Sequence, residues 1–297
     1  MTQSSLKILL PIDIASLHPE VFEVLKSLVP LKNSQATLLF VREELPAYET
    51  MLGTMADFPT DLPHQIEKKA EEVLSAQAEI LRKDCDTVNT KVVLGPPAMT
   101  IETVAEHLEC DLIAMAPGEH SKVSQFLIGS TCERVSKHAK SSVLIVRSNK
   151  AATLKNVVVG IDGSEKALKA MLKAVETFSL ADQDINVTLV NVVSVTGIFK
   201  YISPPGFVAR VEDNLMMSGE AALAQAEKAL TEAGVKKVAV KLRNGDPEAE
   251  LLTVAKEVNA ELIILGAQGR SALEEAILGS VSSKIAAHAT VSTAVFR

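Results

Sequence analysis

Three glycines and two serines near the end of the chain have the types and spacing that suit phosphate binding. Gly266 and Gly269 follow an apolar run, and Gly279 comes directly before Ser280, with Ser282 two residues further on. Glycine lets the main chain turn and approach an oxyanion without a Cβ clash. A helix that begins after Gly279 would offer N–H groups without internal partners at the positive end of its dipole. The pattern predicts a phosphate cradle, with N-capping by a serine as the structural alternative.

Patterns for catalysis or metal binding are missing from the sequence. It contains no P-loop, no G-x-G-x-x-G, no H-E-x-x-H and no G-x-S-x-G. The six histidines have no ligand spacing, and the three cysteines have no C-x-x-C spacing. No second carboxylate or base accompanies Asp162, so it is interpreted as an acceptor that orients a ligand, or as a strand-end cap. Arg270 is placed to reach a phosphate, with simple solvation as its alternative.

Composition narrows the class of protein further. The chain has 297 residues and a formal net charge of −7, without a basic cluster, which argues against nucleic-acid binding. No apolar run approaches the roughly 18 residues of a membrane helix, and the first apolar run ends at Asp13, as a strand would. Three cysteines without a pairing pattern favour a reducing compartment. We expect a cytoplasmic protein that contacts neither nucleic acid nor membrane.

The chain repeats itself. Residues 95–147 and 245–297 align without a gap at an offset of 150, and fourteen of the 53 positions are identical. About 3–4 matches would arise by chance in sequences of ordinary composition. Near the start the offset is 149, which matches Asp13 with Asp162. The repeat predicts two domains, 1–148 and 155–297, joined by a short polar stretch.

Each copy alternates short β-branched runs with helix-period segments. A run at 156–161 is followed by Gly163 and Ser164, which can cap a helix, and then by apolar residues at helical spacing. Alternation of this kind predicts a parallel sheet covered on both faces. The expected fold is α/β, with two tandem doubly wound, Rossmann-like domains of five strands each. The predicted strands are 7–12, 37–41, 88–93, 111–115 and 142–146, then 156–161, 187–193, 237–242, 261–265 and 291–296.

Later helices of the second copy are predicted at 214–233, 247–259 and 280–289. Two segments resist assignment, 45–63 and 196–211, and both are punctuated by proline and glycine. A long surface loop is the simpler interpretation, and a lid or partner contact is the alternative.

The glycine pattern resembles the universal stress protein family, over the whole chain as a tandem of two family domains. Nucleotide-binding members carry G-x2-G-x9-G-[ST] after the fourth strand, an aspartate after the first and a valine at the end of the second. The residues that fit without a gap are Gly266, Gly269, Gly279, Ser280, Asp162 and Val192.

This resemblance implies an adenine-nucleotide alpha hydrolase-like fold and ATP, with or without Mg²⁺, in the second domain. It places adenine near Ile161, Asp162 and Val192. It places the phosphates near Gly266, Gln268, Gly269, Gly279, Ser280, Val281 and Ser282, with Arg270 as a further candidate.

The first domain departs from the family pattern. Ala116 stands for Gly266 and Glu119 for Gly269, although Gly118 lies one position away. A carboxylate at 119 would repel a phosphate, so we expect the first site to be lost or altered and about one tight ATP per chain. Asp13, Val41, Gly129 and Ser130 are retained, and a smaller or differently placed ligand stays open. Cys132 replaces Ser282 in a helix's first turn, where a thiol pKa can fall, but a small buried side chain is the favoured interpretation.

Three hypotheses about role are kept. The first is a stress protein that binds ATP and acts through conformation or partner contacts. The second is an ATP-using enzyme for adenylyl transfer or slow hydrolysis, and the third is a scaffold with vestigial pockets. Single-domain members pair through their last strands, so we predict that the two domains form an internal pseudo-dimer through 142–146 and 291–296, and a homodimer of whole chains stays open.

Overall fold

A computed structural model describes residues 5–44, 61–118, 128–147, 154–195, 204–269 and 278–297. Arg270, Glu119 and most of the two unassigned segments lie outside these described residues. The first half contains β1 Leu6–Pro11, α1 Pro19–Leu28, β2 Ser34–Arg42, α2 Leu62–Leu81, β3 Thr87–Leu94, α3 Pro97–His107, β4 Leu112–Met115, α4 Ser130–His138 and β5 Ser142–Ile145. The second contains β6 Asn156–Gly160, α5 Glu165–Thr177, β7 Asn186–Val193, α6 Pro205–Glu232, β8 Val238–Asn244, α7 Pro247–Glu257, β9 Leu262–Gly266, α8 Ser280–His288 and β10 Ser292–Phe296. Short 3₁₀ turns lie at Leu31–Asn33 and Leu180–Asp182.

The ten strands of the described residues form a single sheet in the order β3-β2-β1-β4-β5-β10-β9-β6-β7-β8. Within each half all paired strands are parallel, with the first strand of the half between its second and fourth. This is the doubly wound topology, so the predicted fold class and the five strands per half are confirmed. The central strands are buried on both faces, as the continuous apolar runs predicted.

The halves join edge to edge through their last strands. β5 and β10 pair antiparallel, with Leu144 opposite Ala294 and Val143 opposite Val295. On one face the apolar core runs without interruption through both halves, and it includes an edge-to-face contact between Phe178 and Phe296 at 5.1 Å. The pairing closes two apolar edges that would otherwise be exposed, and it fits the predicted internal pseudo-dimer.

Two arginines at equivalent positions of the repeat fasten this junction. Arg297, after β10, donates to the main-chain oxygens of Ser136 at 2.7 Å and Ser141 at 3.1 Å in the first half. Arg147, after β5, donates to the main-chain oxygens of Ala286 and Ala287 at the end of α8 in the second half. Each guanidinium therefore supplies donors and positive charge to the C-terminal end of a helix in the other half. We call this reciprocal pair the arginine clamp.

One helix begins much earlier than predicted. α6 starts at Pro205, so the surface-loop prediction for 196–211 is wrong from that residue onward, as is the predicted start at 214. Proline has no N–H to lose in a first turn and its φ suits a helix, so Pro205 begins α6 instead of preventing it. α2 likewise begins at Leu62, inside the segment predicted as loop. Among the described residues, no helix is long and apolar enough to cross a membrane.

Candidate functional site

A cleft of about 580 Å³ opens at the carboxyl ends of β6, β7 and β9. The chain leaves β6 toward β7 on one side and returns to β9 on the other, so the cleft lies at the switch in strand order, where open α/β sheets bind ligands. Ten of the eleven predicted site residues line it: Ile161, Asp162, Val192, Gly266, Gln268, Gly269, Gly279, Ser280, Val281 and Ser282. The eleventh, Arg270, lies outside the described residues.

The glycines bring three main-chain segments into close approach. A Cβ on Gly269 would lie 2.5 Å from Asp162 Oδ2, closer than side-chain atoms pack. A Cβ on Gly279 would lie 3.3 Å from the main-chain oxygen of Ala267, and Gly279 N donates to that same oxygen at 2.7 Å. The loops after β6, after β9 and before α8 therefore meet at one end of the cleft, and Gly269 is the position where any side chain would separate them.

The N-terminus of α8 is open toward this meeting point. Gly279 is its N-cap residue and no side chain accepts a hydrogen bond there, so the alternative of serine N-capping is wrong for this helix. Ser280 is exposed in the first turn, while Ser282 is buried and its hydroxyl donates to the main-chain oxygen of Gly266 at 2.7 Å. Ser282 thus ties α8 to the end of β9. First-turn N–H groups of a helix have no internal partners and attract anions.

Asp162 is held by the cap of the next helix. Its Oδ1 accepts from the main-chain N of Ser164 at 3.0 Å and from Ser164 Oγ at 2.7 Å. Ser164 Oγ also accepts from Ala167 N at 3.1 Å, which makes it the N-cap of α5, as predicted. The carboxylate is therefore oriented at the rim of the cleft before any ligand arrives.

Sequence reasoning identified Val192 on β7 but missed Asn191 beside it and the wall formed by α6. Asn191 is only 4% exposed, and its Nδ2 donates to the main-chain oxygen of Ile161 at 2.8 Å, which joins β7 to the residue after β6. A Cβ on Gly219 would lie 2.8 Å from Asn191 Oδ1, so α6 packs closely against this strand. A lone asparagine inside the apolar run of β7 was the available signal. Leu215 and Gly219 face the cleft along the long α6.

The first half has an equivalent but smaller cleft of about 370 Å³, which Asp13, Val41 and Ser130 line. By strand register, Phe40 stands where the second half has Asn191, and Glu43 stands where it has Ser194. A larger side chain and an added carboxylate both oppose an identical nucleotide pose.

The glycine loop of the first half is also built differently. Gly118 takes the place of Gln268 beside Gly129, whose Cβ would lie 3.5 Å from Gly118 N. Gly129 has a φ of 76°, in the left-handed region, whereas the φ of Gly279 is −61°. Cys132 is 2% exposed, and burial raises its pKa to about 12. Desolvation therefore has a larger effect on the thiol pKa than the helix N-terminus has. The prediction of a small buried side chain is confirmed.

These features define the class of protein: a tandem pair of doubly wound α/β domains that share one continuous sheet, with a cleft at the switch in strand order of each half. The family model described as the Universal stress protein family matches residues 5–147 and again residues 153–297. The chain therefore belongs to the universal stress protein family, as a tandem two-domain member.

Individual relatives agree with this assignment. Universal stress protein YxiE of Bacillus subtilis is 31% identical over 147 residues, which are 48% of this chain and 97% of the relative. A putative universal stress protein of Staphylococcus aureus strain USA300 is 34% identical over 146 residues, 49% of this chain and 85% of the relative. A solved universal stress protein from Archaeoglobus fulgidus shares the fold over 98% of this chain and 96% of its own, with a TM-score of 0.68 at 23% identity.

Proposed function

We propose that the protein is a cytoplasmic stress-response protein that binds ATP in the cleft of its second domain. One observation carries the proposal: two glycine loops and the open N-terminus of α8 converge at one end of a cleft at the switch point. The cleft's volume of about 580 Å³ lies within the usual range for small-molecule sites.

The two ends of the cleft suit the two ends of a nucleotide. Ile161 and Val192 supply apolar side chains and main-chain groups for a base. At the opposite end, Gly269 and Gly279 leave room where a Cβ would fill the cradle, and α8 presents main-chain donors. Lys166 Nζ donates a hydrogen bond to Gln268 Oε1 at 2.8 Å, which places a cation beside the phosphate end of the cleft. We expect Mg²⁺ to arrive bound to the phosphates.

We further propose that ATP acts as a bound signal, through conformation or partner contacts, and that only the second domain holds it tightly. Asp162 is engaged by Ser164 as an orienting acceptor, which suits ligand positioning better than acid–base chemistry. The pairing of β5 with β10 already supplies within one chain the contact through which single-domain relatives are expected to dimerise. We expect the chain to function without a second copy at that edge.

Titration calorimetry of the full chain with ATP and Mg²⁺ tests the proposal. We expect about one site per chain, and a loss of at least about tenfold in affinity, or 1.4 kcal/mol, in Gly269→Glu. That variant forces Asp162 away and sets a carboxylate among the phosphates. Gly118→Glu is the matched control, because it adds the same charge to the first-half loop, where a Cβ on Gly118 meets no atom within 4 Å.

Three results would contradict the proposal. Unchanged ATP affinity in Gly269→Glu would show that ATP does not bind in this cleft. Two equal sites per chain would show that the first domain also binds ATP. Steady release of ADP or AMP during incubation with ATP and Mg²⁺ would favour the enzyme hypothesis instead.

A further inference from the structure

A second concave site lies between the two halves, beside the nucleotide cleft. It is a groove of about 470 Å³, bounded by the end of α4, the outward face of α5 and the ends of β9 and β10. Its floor is apolar and buried, formed by Ala139, Ala170, Ala267 and Phe296. Four lysines stand around it: Lys140, Lys166, Lys169 and Lys173. We call it the lysine groove.

The lysine groove is cationic in an acidic chain, although Lys173 Nζ already donates to the main-chain oxygen of Arg297 at 3.0 Å. Of the described residues that line it, none is an aspartate or glutamate, and Arg297 adds a further positive charge. Within the described part of the chain, Lys140 pairs with Glu106 and Lys169 with Glu165 on the outer surface, and the two lysine side chains are 75% and 79% exposed. Such exposed pairs are weak, so both ammonium groups are available to a ligand.

The fold does not require these lysines, as the internal repeat shows. Residues of α1 correspond to residues of α5 at an offset of 149. The main-chain N of Val29 and that of Phe178 make the equivalent hydrogen bond at the end of each helix, to Leu25 O and Ala174 O. The repeat-equivalent positions of the four lysines hold Thr290, Leu17, Glu20 and Val24. The same architecture is therefore built on the opposite side of the junction without a single lysine at these positions.

We propose that the lysine groove binds a small phosphorylated organic molecule. Lysine ammonium groups are common point-charge partners of phosphate. The buried floor offers an apolar surface for the rest of the molecule, and the groove has the volume of a small-molecule site. Charges on both halves, Lys140 from the first and the α5 lysines from the second, face the same space. Such a ligand would bridge the junction.

This inference does not depend on ATP binding in the neighbouring cleft. Gln268 lines both spaces, so the test changes Lys140 and Lys169, which line the lysine groove and not the nucleotide cleft. The probe is 1-naphthyl phosphate, an apolar ring system with one phosphate, added to the full chain and followed by fluorescence and calorimetry. We expect one saturable site, and at least about a tenfold weaker Kd in the double variant Lys140→Gln/Lys169→Gln. Lys69→Gln/Lys228→Gln is the matched control, because these lysines are 66% and 76% exposed and each pairs with a glutamate on its own helix.

The proposal predicts that the control variant and Gly269→Glu both bind the probe as the native chain does. Absence of saturable binding at millimolar probe would overturn it, as would equal weakening in the control. Loss of binding in Gly269→Glu would place the probe in the nucleotide cleft instead. A polyglutamate peptide that binds in a lysine-dependent way where the probe does not would identify the groove as a protein-docking surface and reject the small ligand.

Discussion

The arginine clamp gives the sharpest prediction about how the two halves hold together. Arg297→Met keeps an unbranched apolar stem but removes the guanidinium that reaches into the first half. The variant loses bonds to the main-chain oxygens of Ser136 at 2.7 Å, Ser141 at 3.1 Å and Lys137 at 3.4 Å. These oxygens lie at the end of α4 and in the turn that follows it, where no intrahelical donor is available.

The expected cost follows from these contacts. Two of the bonds have good geometry, and a hydrogen bond to a charged group contributes about 1.5–3 kcal/mol. Burial lowers the pKa of Arg297 to about 10, which records a desolvation penalty that the methionine no longer suffers. Setting the lost bonds against that penalty, we expect the free energy of unfolding to fall by about 1–3 kcal/mol.

Urea unfolding followed by far-ultraviolet circular dichroism measures this change. Arg147→Met should cost a similar amount, since Arg147 makes the reciprocal contacts with α8. Arg210→Met is the control: Arg210 is exposed and lies over the ring of Phe207 at 5.9 Å, so its loss should stay within about 0.5 kcal/mol.

The pH dependence of this cost has a definite sign. Burial lowers the pKa of Arg297 to about 10 in the folded chain, below that of a free guanidinium, so above about pH 10 the unfolded state binds more protons than the folded state. Stability therefore gains from rising pH only above about pH 10, and the cost of Arg297→Met should be constant from about pH 6 to 9. A cost below about 0.5 kcal/mol for both clamp variants would show that the strand pairing and the shared apolar core suffice.

The remaining predictions concern the thiols and the cleft. Burial raises the pKa of Cys85, raises that of Cys110 to about 11 and raises that of Cys132 to about 12. We therefore expect none of the three thiols to react with Ellman's reagent in the native chain at about pH 8, and all three to react in urea. A thiol that reacts fast in the native chain would contradict this. Ser164→Ala removes the N-cap of α5 and a hydrogen bond to Asp162. Thermal unfolding should show a loss of about 1 kcal/mol in the free energy of unfolding, and calorimetry should show weaker ATP binding. Unchanged ATP affinity would mean that Asp162 needs no positioning by Ser164. Asn191→Ala leaves a buried main-chain oxygen without its donor and should cost about 1–3 kcal/mol in urea unfolding, whereas a neutral result would indicate that water replaces the amide.

Much of the fold could be predicted because its signals are local. Alternating apolar runs and helix-period segments specified parallel strands and covering helices, and the internal repeat doubled each signal. The glycine spacing after the fourth strand likewise predicted which residues line the cleft, since Gly266, Gly269 and Gly279 lie in two short segments that the strand order must bring together. The start of α6 was missed because Pro205 indicates a loop by composition and yet suits a helix's first turn.

Other features depend on contacts between residues far apart in the chain. Arg297 and Ser136 are 161 residues apart, and no local pattern shows that a terminal arginine meets the end of a helix in the other half. In the sequence, Asn191 is a polar residue that interrupts an apolar strand. Its role is visible only in the fold, where β6 lies beside β7 and the main-chain oxygen of Ile161 accepts its hydrogen bond. The lysines of α5 form an ordinary solvated face in the sequence, and only the antiparallel pairing of β5 with β10 brings Lys140 to the same groove. The periodicity of apolar residues predicts which face of a helix or strand is buried. Which other element covers that face depends on the packing of the whole chain.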